Sequence, residues 1–406
     1  MRKQIIVNND GFSAFYGGRF DSREALEEYI HSFAGTDVTI IEWCLGPSDG
    51  SFTYDTAVGE VLGENVPEDA LAKLRRGDRL AAETVQRLIA QGHDPLAVVA
   101  RQAREDGIKL FASMRMGPFY AEPYAEVFNG SFYARNQHLR IVLPNGELPE
   151  PGNNTTPDYT VQRPNLSYVY PRVRQFFLDV FDDACRRDLA GVNLDFVRNF
   201  PFFGYEKPLV ESFVSKYGTQ PPGDDPELWW RHRATYMTQL VRDLRAQLDV
   251  TEERLGHDLE ISARVDYQHY LEWGLDIETW MREGLLDILI VTRAGRGGFN
   301  IFDLEPFVTM AEGTGCRVVA GEESIMRGHD LTPEEDRRLQ RGETVVRESR
   351  AMSTLEYCRR AVQWYQQGAD GIHIFNGPAE METVRVLGSL EKVRAYLAAH
   401  DTQAVE

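Results

Sequence analysis

The sequence predicts a (β/α)8 barrel, and three observations support this prediction. Eight short apolar runs rich in valine and isoleucine recur along the chain, and each has the length of a buried parallel strand. Amphipathic segments separate these runs, as in folds that alternate strands and helices. The 406 residues suffice for such a barrel with extended loops, since barrels of this kind have about 250 residues before insertions.

The predicted strands mostly follow a Gly or Asp turn signal. They cover residues 4–8, 38–43, 108–113, 192–196, 259–265, 286–292, 317–320 and 371–375. A doubly wound sheet is the alternative, but it would usually carry a glycine-rich turn after its first strand. The first strand here is followed by Asn9-Asp10-Gly11-Phe12, which is not a dinucleotide-binding turn. The barrel is therefore favoured.

The predicted helices are recognised by apolar residues at intervals of three and four. In the clearest one, Val173, Phe176, Phe177 and Val180 share a stripe, and Pro171 stands near the start. The predicted helices cover residues 22–33, 80–104, 173–185, 236–248, 275–283, 304–312, 355–367 and 379–397.

The extra length of the chain is concentrated after particular strands. Residues 114–171 follow the third strand, 197–228 the fourth and 322–354 the seventh, whereas the connections from helix to strand are short. Barrel enzymes build their active sites from the loops that follow the carboxyl ends of the strands. We therefore expect a single barrel domain over residues 1–406, with a catalytic site at that face.

Composition and charge narrow the classes of partner. The chain is 42% hydrophobic and carries a net charge of −19, which disfavours nucleic acid and anionic membrane surfaces as partners. No apolar run approaches the roughly 18 residues that span a bilayer, and the N-terminus lacks the pattern of a signal peptide. The four cysteines are scattered, as in reduced cytosolic proteins. We predict a cytoplasmic protein with free thiols, with Cys44 in the second strand and Cys185 in a helix.

Charged and polar residues cluster at the carboxyl ends of the predicted strands. This ring consists of Asp10, Glu42, Arg115, Asp195, Arg198, Arg264, Asp266, Arg293, Glu322, Glu323 and Asn376. Buried charge is costly unless it is paired or functional, so the ring predicts a polar pocket above an apolar barrel. In the alternative interpretation, the acids and arginines only neutralise one another at a solvated rim.

Asp195 is the leading candidate for catalysis. In the run from Gly191 to Phe196, alternation places Asn193 and Asp195 on the same face of the strand, towards the barrel mouth. Arg198 beside it would lower the pKa of the Asp195 carboxyl and keep it ionised, as a nucleophile or an oxocarbenium-stabilising group must be.

A second carboxyl group is needed to protonate the leaving oxygen of a glycoside. Glu322 ends the seventh strand, roughly across the barrel from Asp195, and Asp266 and Glu42 are the reserve candidates. The expected catalytic residues are therefore Asp195, Glu322 and Asp266. The expected substrate-binding residues are Glu42, Arg115, Arg198, Arg264, Arg293, Asn376 and Asp10.

Aromatic residues crowd the loops after the third and fourth strands. They are Phe119, Tyr120, Tyr124, Phe128, Phe132, Tyr133, Tyr159, Tyr168 and Tyr170 in the first loop, and Phe200, Phe202, Phe203, Tyr205, Trp229 and Trp230 in the second. Sugars present an apolar C–H face and a hydroxyl edge, which suits such loops. We expect a carbohydrate to be the substrate, with most of the rings serving to pack the loops.

The predicted strands lack the residues that metal or cofactor chemistry would require. The first strand offers no His-x-His pair, and His373 is the one histidine that falls in a predicted strand. Lys109 lies near the start of its strand, on the wrong side for a Schiff base. We therefore predict a site with neither a metal ion nor an organic cofactor.

Three segments resemble the family-10-like glycosyl hydrolase group of barrel proteins. They are Gly191-Val-Asn-Leu-Asp-Phe-Val-Arg-Asn-Phe-Pro-Phe-Phe, Ala112-Ser-Met-Arg-Met-Gly and Gly274-Leu-Asp-Ile-Glu-Thr-Trp. The resemblance covers most of the chain. It implies a glycosidase-like barrel in which Asp195 and Arg198 belong to the site and Arg115 forms part of its wall.

Three functions remain open at this point. The first is hydrolysis of an O-glycosidic bond by paired carboxyl groups. The second is a non-catalytic barrel that only binds carbohydrate. The third is a lyase or isomerase acting on acidic sugars, which is suggested by the arginines at positions 115, 198, 264 and 293.

Overall fold

In the computed structural model, eight parallel strands form a closed barrel. The strands, numbered β1 to β8, are Gln4–Asn9, Val38–Cys44, Lys109–Arg115, Gly191–Asp195, Glu260–Asp266, Ile288–Thr292, Arg317–Glu323 and Gly371–Phe375. β1 pairs with both β2 and β8, which closes the barrel. Each of the eight predicted strands matches one of these, so the predicted fold is confirmed. The structure describes residues 2–117, 119–120, 124–149, 165–197, 200–293, 302–323, 325–326, 333–345 and 350–400.

Helices and short strand pairs fill the connections. The helices are Ser13–Tyr16, Arg23–His31, Glu68–Ala72, Arg76–Ala90, Pro95–Glu105, Ala125–Phe128, Gly130–Arg135, Pro171–Cys185, Lys207–Tyr217, Pro226–Leu255, Ile277–Arg282, Glu305–Ala311, Pro333–Gln340, Thr354–Gln366, Thr383–Val386 and Leu390–His400, with a 3-10 turn at Gln137–Leu139. The short pairs are Ser51–Phe52 with Glu60–Val61, and Ile325–Met326 with Arg350–Ala351.

The single helix predicted over residues 80–104 is wrong, because two helices occupy this region. Gly92 adopts a φ of 81°, which ends the first helix. The Asp94 carboxylate then accepts a hydrogen bond from the Leu96 N–H at 3.1 Å and caps the second. Pro95 occupies its first position, where the missing N–H costs nothing.

The single helix predicted over residues 379–397 is also wrong. Two helical segments stand there, and the chain between them approaches Asp37, which precedes β2. The Gly388 N–H donates to the Asp37 carboxylate at 3.0 Å, and a Cβ at Gly388 would lie 2.2 Å from the Asp37 Cγ. This close approach requires a glycine, and it interrupts the helix.

The long connection from β2 to β3 was not predicted to be an insertion. It contains the helices Glu68–Ala72, Arg76–Ala90 and Pro95–Glu105 together with one short strand pair. Parts of the three long connections that were predicted, including residues 150–164 and 198–199, lie outside the described residues.

Alternation along the strands divides their side chains between two environments. The lower barrel interior is filled by a small apolar cluster of Ile6, Ile40, Phe111, Ile288, Ile290 and Val319. The outward side chains pack against the helices in a much larger core.

Cys44 lies in β2 and Cys185 in a helix, as predicted, and both are buried. Among the helices that the structure describes, none has the length and apolar character needed to cross a bilayer.

Gly11, which follows β1, supports the face where the strands end. Its φ is +63°, and a Cβ at this position would lie 1.8 Å from the Cys44 carbonyl oxygen. For Gly11→Ala we expect a loss of about 1 to 2 kcal/mol from the left-handed backbone and a further loss of roughly 1 to 3 kcal/mol from the clash. Urea unfolding measures this loss. Gly35→Ala is the matched control, because Gly35 has a φ of +71° with nothing within 4 Å. Equal losses in the two variants would contradict the prediction.

Candidate active site

A chain of hydrogen bonds crosses the barrel interior above the apolar cluster. The Ser113 hydroxyl donates to Asn193 at 2.8 Å, and the Asn193 amide donates to Ser262 at 2.8 Å. Ser262 in turn donates to Glu42 at 2.9 Å, and the second oxygen of Glu42 lies 3.1 Å from Nε2 of His373. All five side chains are buried. This polar belt joins β2, β3, β4, β5 and β8 and makes a rigid floor for the barrel mouth.

One guanidinium binds two carboxylates in the next layer towards the carboxyl ends. Arg264 of β5 contacts Asp195 of β4 at 3.2 Å and Glu323 of β7 at 2.8 Å. Asp195 also accepts a hydrogen bond from the Val197 N–H at 3.1 Å. Phe375 of β8 closes one side, since its ring centroid lies 4.3 Å from Cζ of Arg264. Four strands therefore converge on this group of charges, which we call the carboxylate pair with its bridging arginine.

The two carboxylates of this pair differ in exposure. The side chains of Asp195 and Arg264 are each 1% exposed, whereas Glu323 is 21% exposed. Burial alone would lower the pKa of Arg264, but Asp195 and Glu323 outweigh it and the pKa is raised. The arginine is therefore charged, and it provides a fixed positive centre between an enclosed carboxylate and an accessible one.

Glu322 does not join Asp195, contrary to the prediction that these two residues converge on one cleft. Adjacent residues of a strand point to opposite faces, and Glu323 is the one that reaches Arg264. Glu322 instead forms an ion pair with Arg360 of the helix Thr354–Gln366, in the layer outside the barrel. Burial raises the pKa of Glu322 to about 7, although Arg360 opposes the shift.

The raised pKa of Glu322 predicts a pH dependence of stability. The folded pKa of about 7 exceeds the ordinary value of 4.5, so the folded state binds more protons between these values. Stability should fall as pH rises from about 4.5 to 7, by on the order of 3 kcal/mol at most. Glu322→Gln should flatten this part of a urea-unfolding profile measured against pH.

Glu356, on the helix that carries Arg360, supplies a control of opposite sign. Its hydrogen bond to Arg350 is the main cause of a pKa lowered to about 2, so its contribution is lost as pH falls from about 4.5 to 2. Glu356→Gln should therefore lower stability by a constant amount between pH 4.5 and 7 and leave the slope of the profile unchanged. A Glu322→Gln profile parallel to that of the wild type would contradict the prediction.

The reserve acids occupy defined but less open positions. Asp266, at the end of β5, is buried and accepts the N–H groups of Gln268 and His269 at 3.0 and 2.8 Å, so it caps the following turn. Glu42 is a member of the polar belt. Neither arrangement leaves the carboxyl group as accessible as that of Glu323.

Several predicted binding residues lie at the rim of the barrel. Asp10 is partly exposed and accepts the N–H groups of Phe12 and Ser13. Arg115 is partly buried, with Cζ 5.9 Å from the centroid of the Phe375 ring, and interacts electrostatically with Asp10 and Asp195. Asn376 follows β8, is exposed and has a φ of 61°.

Two predicted arginines contribute less to the described site. Arg293 follows β6, is partly buried and lies next to residues outside the described part of the chain. Arg198 itself lies outside the described residues, so the predicted contact with Asp195 is not part of the structure described. Among the described residues, Arg264 contacts Asp195.

Asp49 is a residue of this region that the sequence did not indicate. It is buried in the loop after β2, and its carboxyl group accepts the Gly117 N–H. Burial raises its pKa well above the ordinary value, with the Gly117 bond and Arg115 opposing the shift. Because it follows no predicted strand directly, no periodic pattern pointed to it.

Many of the loop aromatic residues pack against their neighbours, as expected. Phe132 stacks on Phe176 with centroids 3.9 Å apart, and Phe119 stacks on Tyr133 at 4.7 Å. Tyr159 lies outside the described residues. Within the described part of the chain, no three His, Cys, Asp or Glu side chains are grouped in a way that could hold a metal ion.

A closed parallel barrel with charged side chains gathered at its strand ends defines the class of (β/α)8 barrel proteins in which many enzymes are found. Within this class the relationship is specific. The family model for glycosyl hydrolase-like 10 matches residues 69–294, more than half of the sequence, and the chain belongs to this family. The resemblance found in the three motifs is thereby confirmed, since all three lie inside the matched region. No curated protein sequence matches the chain.

Solved structures with a similar course of the chain share little sequence with it. A cycloisomaltooligosaccharide glucanotransferase from Paenibacillus sp. has 8% identity and a TM-score of 0.46, with 78% of this chain and 38% of that chain covered. A family 18 N-acetylglucosaminidase from Paenibacillus barengoltzii has 12% identity and a TM-score of 0.43, with 97% and 99% covered. A maltogenic alpha-amylase from Thermotoga neapolitana has 11% identity and a TM-score of 0.45, with 98% and 78% covered. The chain thus spans well under half the length of the glucanotransferase.

Proposed function

We propose that the protein hydrolyses an O-glycosidic bond, with Asp195 and Glu323 as its paired carboxyl groups. The observation that carries this proposal is the bridge through Arg264, within a chain of the glycosyl hydrolase-like 10 family. Because both carboxylates contact one guanidinium, their nearest oxygens cannot be farther apart than the roughly 9.5 Å upper limit for paired glycosidase carboxylates.

The proposed roles follow from the different surroundings of the two groups. Asp195 is enclosed, held on a rigid strand and bound to a cation, which suits a carboxylate that stays ionised beside an anomeric carbon. Glu323 is the more accessible group and would face the leaving oxygen. Because Arg264 favours the ionised form of Glu323 as well, the acid role requires a bound sugar that excludes water from this carboxyl group and so favours its protonated form.

The remaining predicted residues are proposed to bind rather than to react. Arg115, Asp10 and Asn376 line the rim, where they could hydrogen-bond sugar hydroxyls. Asp266 is kept as the alternative acid, because it ends β5 beside Arg264. The non-catalytic barrel and the acidic-sugar lyase or isomerase remain the competing functions.

A product assay tests the proposal against both competitors. The full chain is incubated with a panel of neutral and uronic oligosaccharides, and products are followed by reducing ends and by the absorbance of unsaturated sugars. New reducing ends without unsaturated products support hydrolysis. Unsaturated products would favour a lyase, and binding without any product would favour the non-catalytic barrel.

A further inference from the structure

A cavity of about 450 Å3 lies among the loops that follow β4 and β5 and the start of the helix Pro226–Leu255. Its volume is within the range of about 300 to 1,000 Å3 typical of small-molecule sites. Phe200 and Trp273 form part of its wall as a flat stack, with centroids 3.7 Å apart and planes inclined by 15°. The cavity is on the same face of the barrel as the carboxylate pair.

Two hydrogen-bond donors in the wall of this cavity lack an acceptor. The Trp229 ring is 2% exposed, and its Nε1–H makes no hydrogen bond. The Nε–H of Arg233, one turn along the same helix, is also buried without a partner. Leaving such a donor buried and unpaired costs roughly 1 to 3 kcal/mol. Both of these atoms are enclosed, whereas the terminal nitrogen of Arg233 that donates to Glu272 is exposed, so this end of the guanidinium is the group that a ligand in the cavity can reach.

Arg233 also carries a charge that its surroundings only partly compensate. Burial lowers the pKa of Arg233 to about 10, so the guanidinium is still charged at neutral pH. One of its terminal nitrogens donates to the backbone oxygen of Glu272 at 2.5 Å, and Cζ lies 5.5 Å from the centroid of the Trp229 ring. In the described part of the chain, no carboxylate forms an ion pair with it. An anionic group in the cavity would supply the missing counter-charge.

We propose that this cavity binds the uronic-acid residue of a carbohydrate. The carboxylate lies on the guanidinium of Arg233, and the C–H face of the sugar packs on the stack of Phe200 and Trp273. A neutral sugar would satisfy the rings but not the guanidinium, and a simple carboxylic acid would leave the aromatic wall uncovered. This inference rests on the proposed function for the view that the ligand is a carbohydrate.

Binding of monosaccharides tests the inference without requiring turnover. D-glucuronate and D-galacturonate are compared with D-glucose and D-galactose on the full chain by ligand-observed NMR and by tryptophan fluorescence. The uronates should bind at least about tenfold more tightly, as expected for hydrogen bonds to a charged group. Arg233→Met should abolish this preference and leave the neutral sugars bound as before.

The matched control is Arg242→Met, on the exposed side of the same helix, which should leave all four affinities unchanged. Arg233→Gln gives the same comparison if the methionine variant does not fold. Equal binding of charged and neutral sugars, a preference that survives in Arg233→Met, or the absence of binding at millimolar concentrations would each overturn the inference. Uronate binding by a protein that hydrolyses no glycoside would instead contradict only the proposed function.

Discussion

Asp195→Asn is expected to lower the kcat for glycoside hydrolysis at least a thousandfold and to leave substrate binding within a factor of a few. The variant keeps the shape of the side chain and a hydrogen-bond acceptor for Arg264, but it removes the negative charge that would stabilise an oxocarbenium-like transition state. Losses of this size are typical when an essential catalytic group is removed. Steady-state kinetics on the substrate identified by the product assay would measure the change, with binding followed by calorimetry.

The control for this variant must separate chemistry from stability. Glu322→Gln changes a buried glutamate of similar depth that faces the helix layer, so it should retain kcat to within about tenfold. Glu323→Gln should lose activity at least a hundredfold, since general acid catalysis contributes on that scale. Turnover of Asp195→Asn at the wild-type rate would contradict the proposed mechanism. If Glu322→Gln lost more activity than Glu323→Gln, Glu322 would become the favoured acid again.

The fold could be predicted because its determinants are local. Each strand is a short apolar run entered through a turn residue, and all eight were found within a few residues of their ends. The errors in the helices also have local causes. Gly92 ends one helix, Asp94 caps the next helix and Pro95 begins it, whereas the apolar pattern alone predicts a single longer helix. The break at Gly388 could not be inferred in this way, because it depends on Asp37, which is 351 positions away.

The sequence predicts where the site lies, but it does not predict which of the site residues contact one another. Strand ends indicated Asp195 and Arg264, but the partner expected for Asp195 was its neighbour in sequence, Arg198. The structure describes a contact of Asp195 with Arg264, its register partner on the neighbouring strand β5, and a contact of Arg264 with Glu323 of β7. Such pairings depend on strand order and register. The predicted placement of Glu322 in the barrel mouth was an error of parity. Val319 faces the barrel interior, so position 323 faces inward as well, but the apolar run Val318-Val319-Ala320 does not show which of its residues points in.

Arg264→Met is expected to produce the largest loss of stability among substitutions at the mouth of the barrel. It removes the cation shared by Asp195 and Glu323 and leaves an enclosed carboxylate without its counter-charge. Breaking a buried ion pair by removing one partner typically costs 3 to 5 kcal/mol. Urea unfolding at neutral pH would measure this cost. The surface variant Arg242→Met, which breaks a pair with Glu283 that is about 40% exposed, should lose less than about 1 kcal/mol.

The pH dependence of this loss distinguishes an electrostatic role of Arg264 from simple packing. Without the guanidinium, the pKa of the paired carboxyl groups should rise in the folded state, because each is left in a poorly solvated place beside a like charge. A raised folded pKa means that stability falls as pH rises, so Arg264→Met should be closest to the wild type at about pH 5 and weakest at about pH 8. Arg264→Lys, which keeps a positive charge but loses the two-pronged geometry, should show a smaller loss that varies little with pH. A loss in Arg264→Met that is the same at both pH values would mean that Arg264 acts by filling space, and the case for a charged, bridging arginine between two working carboxylates would then fail.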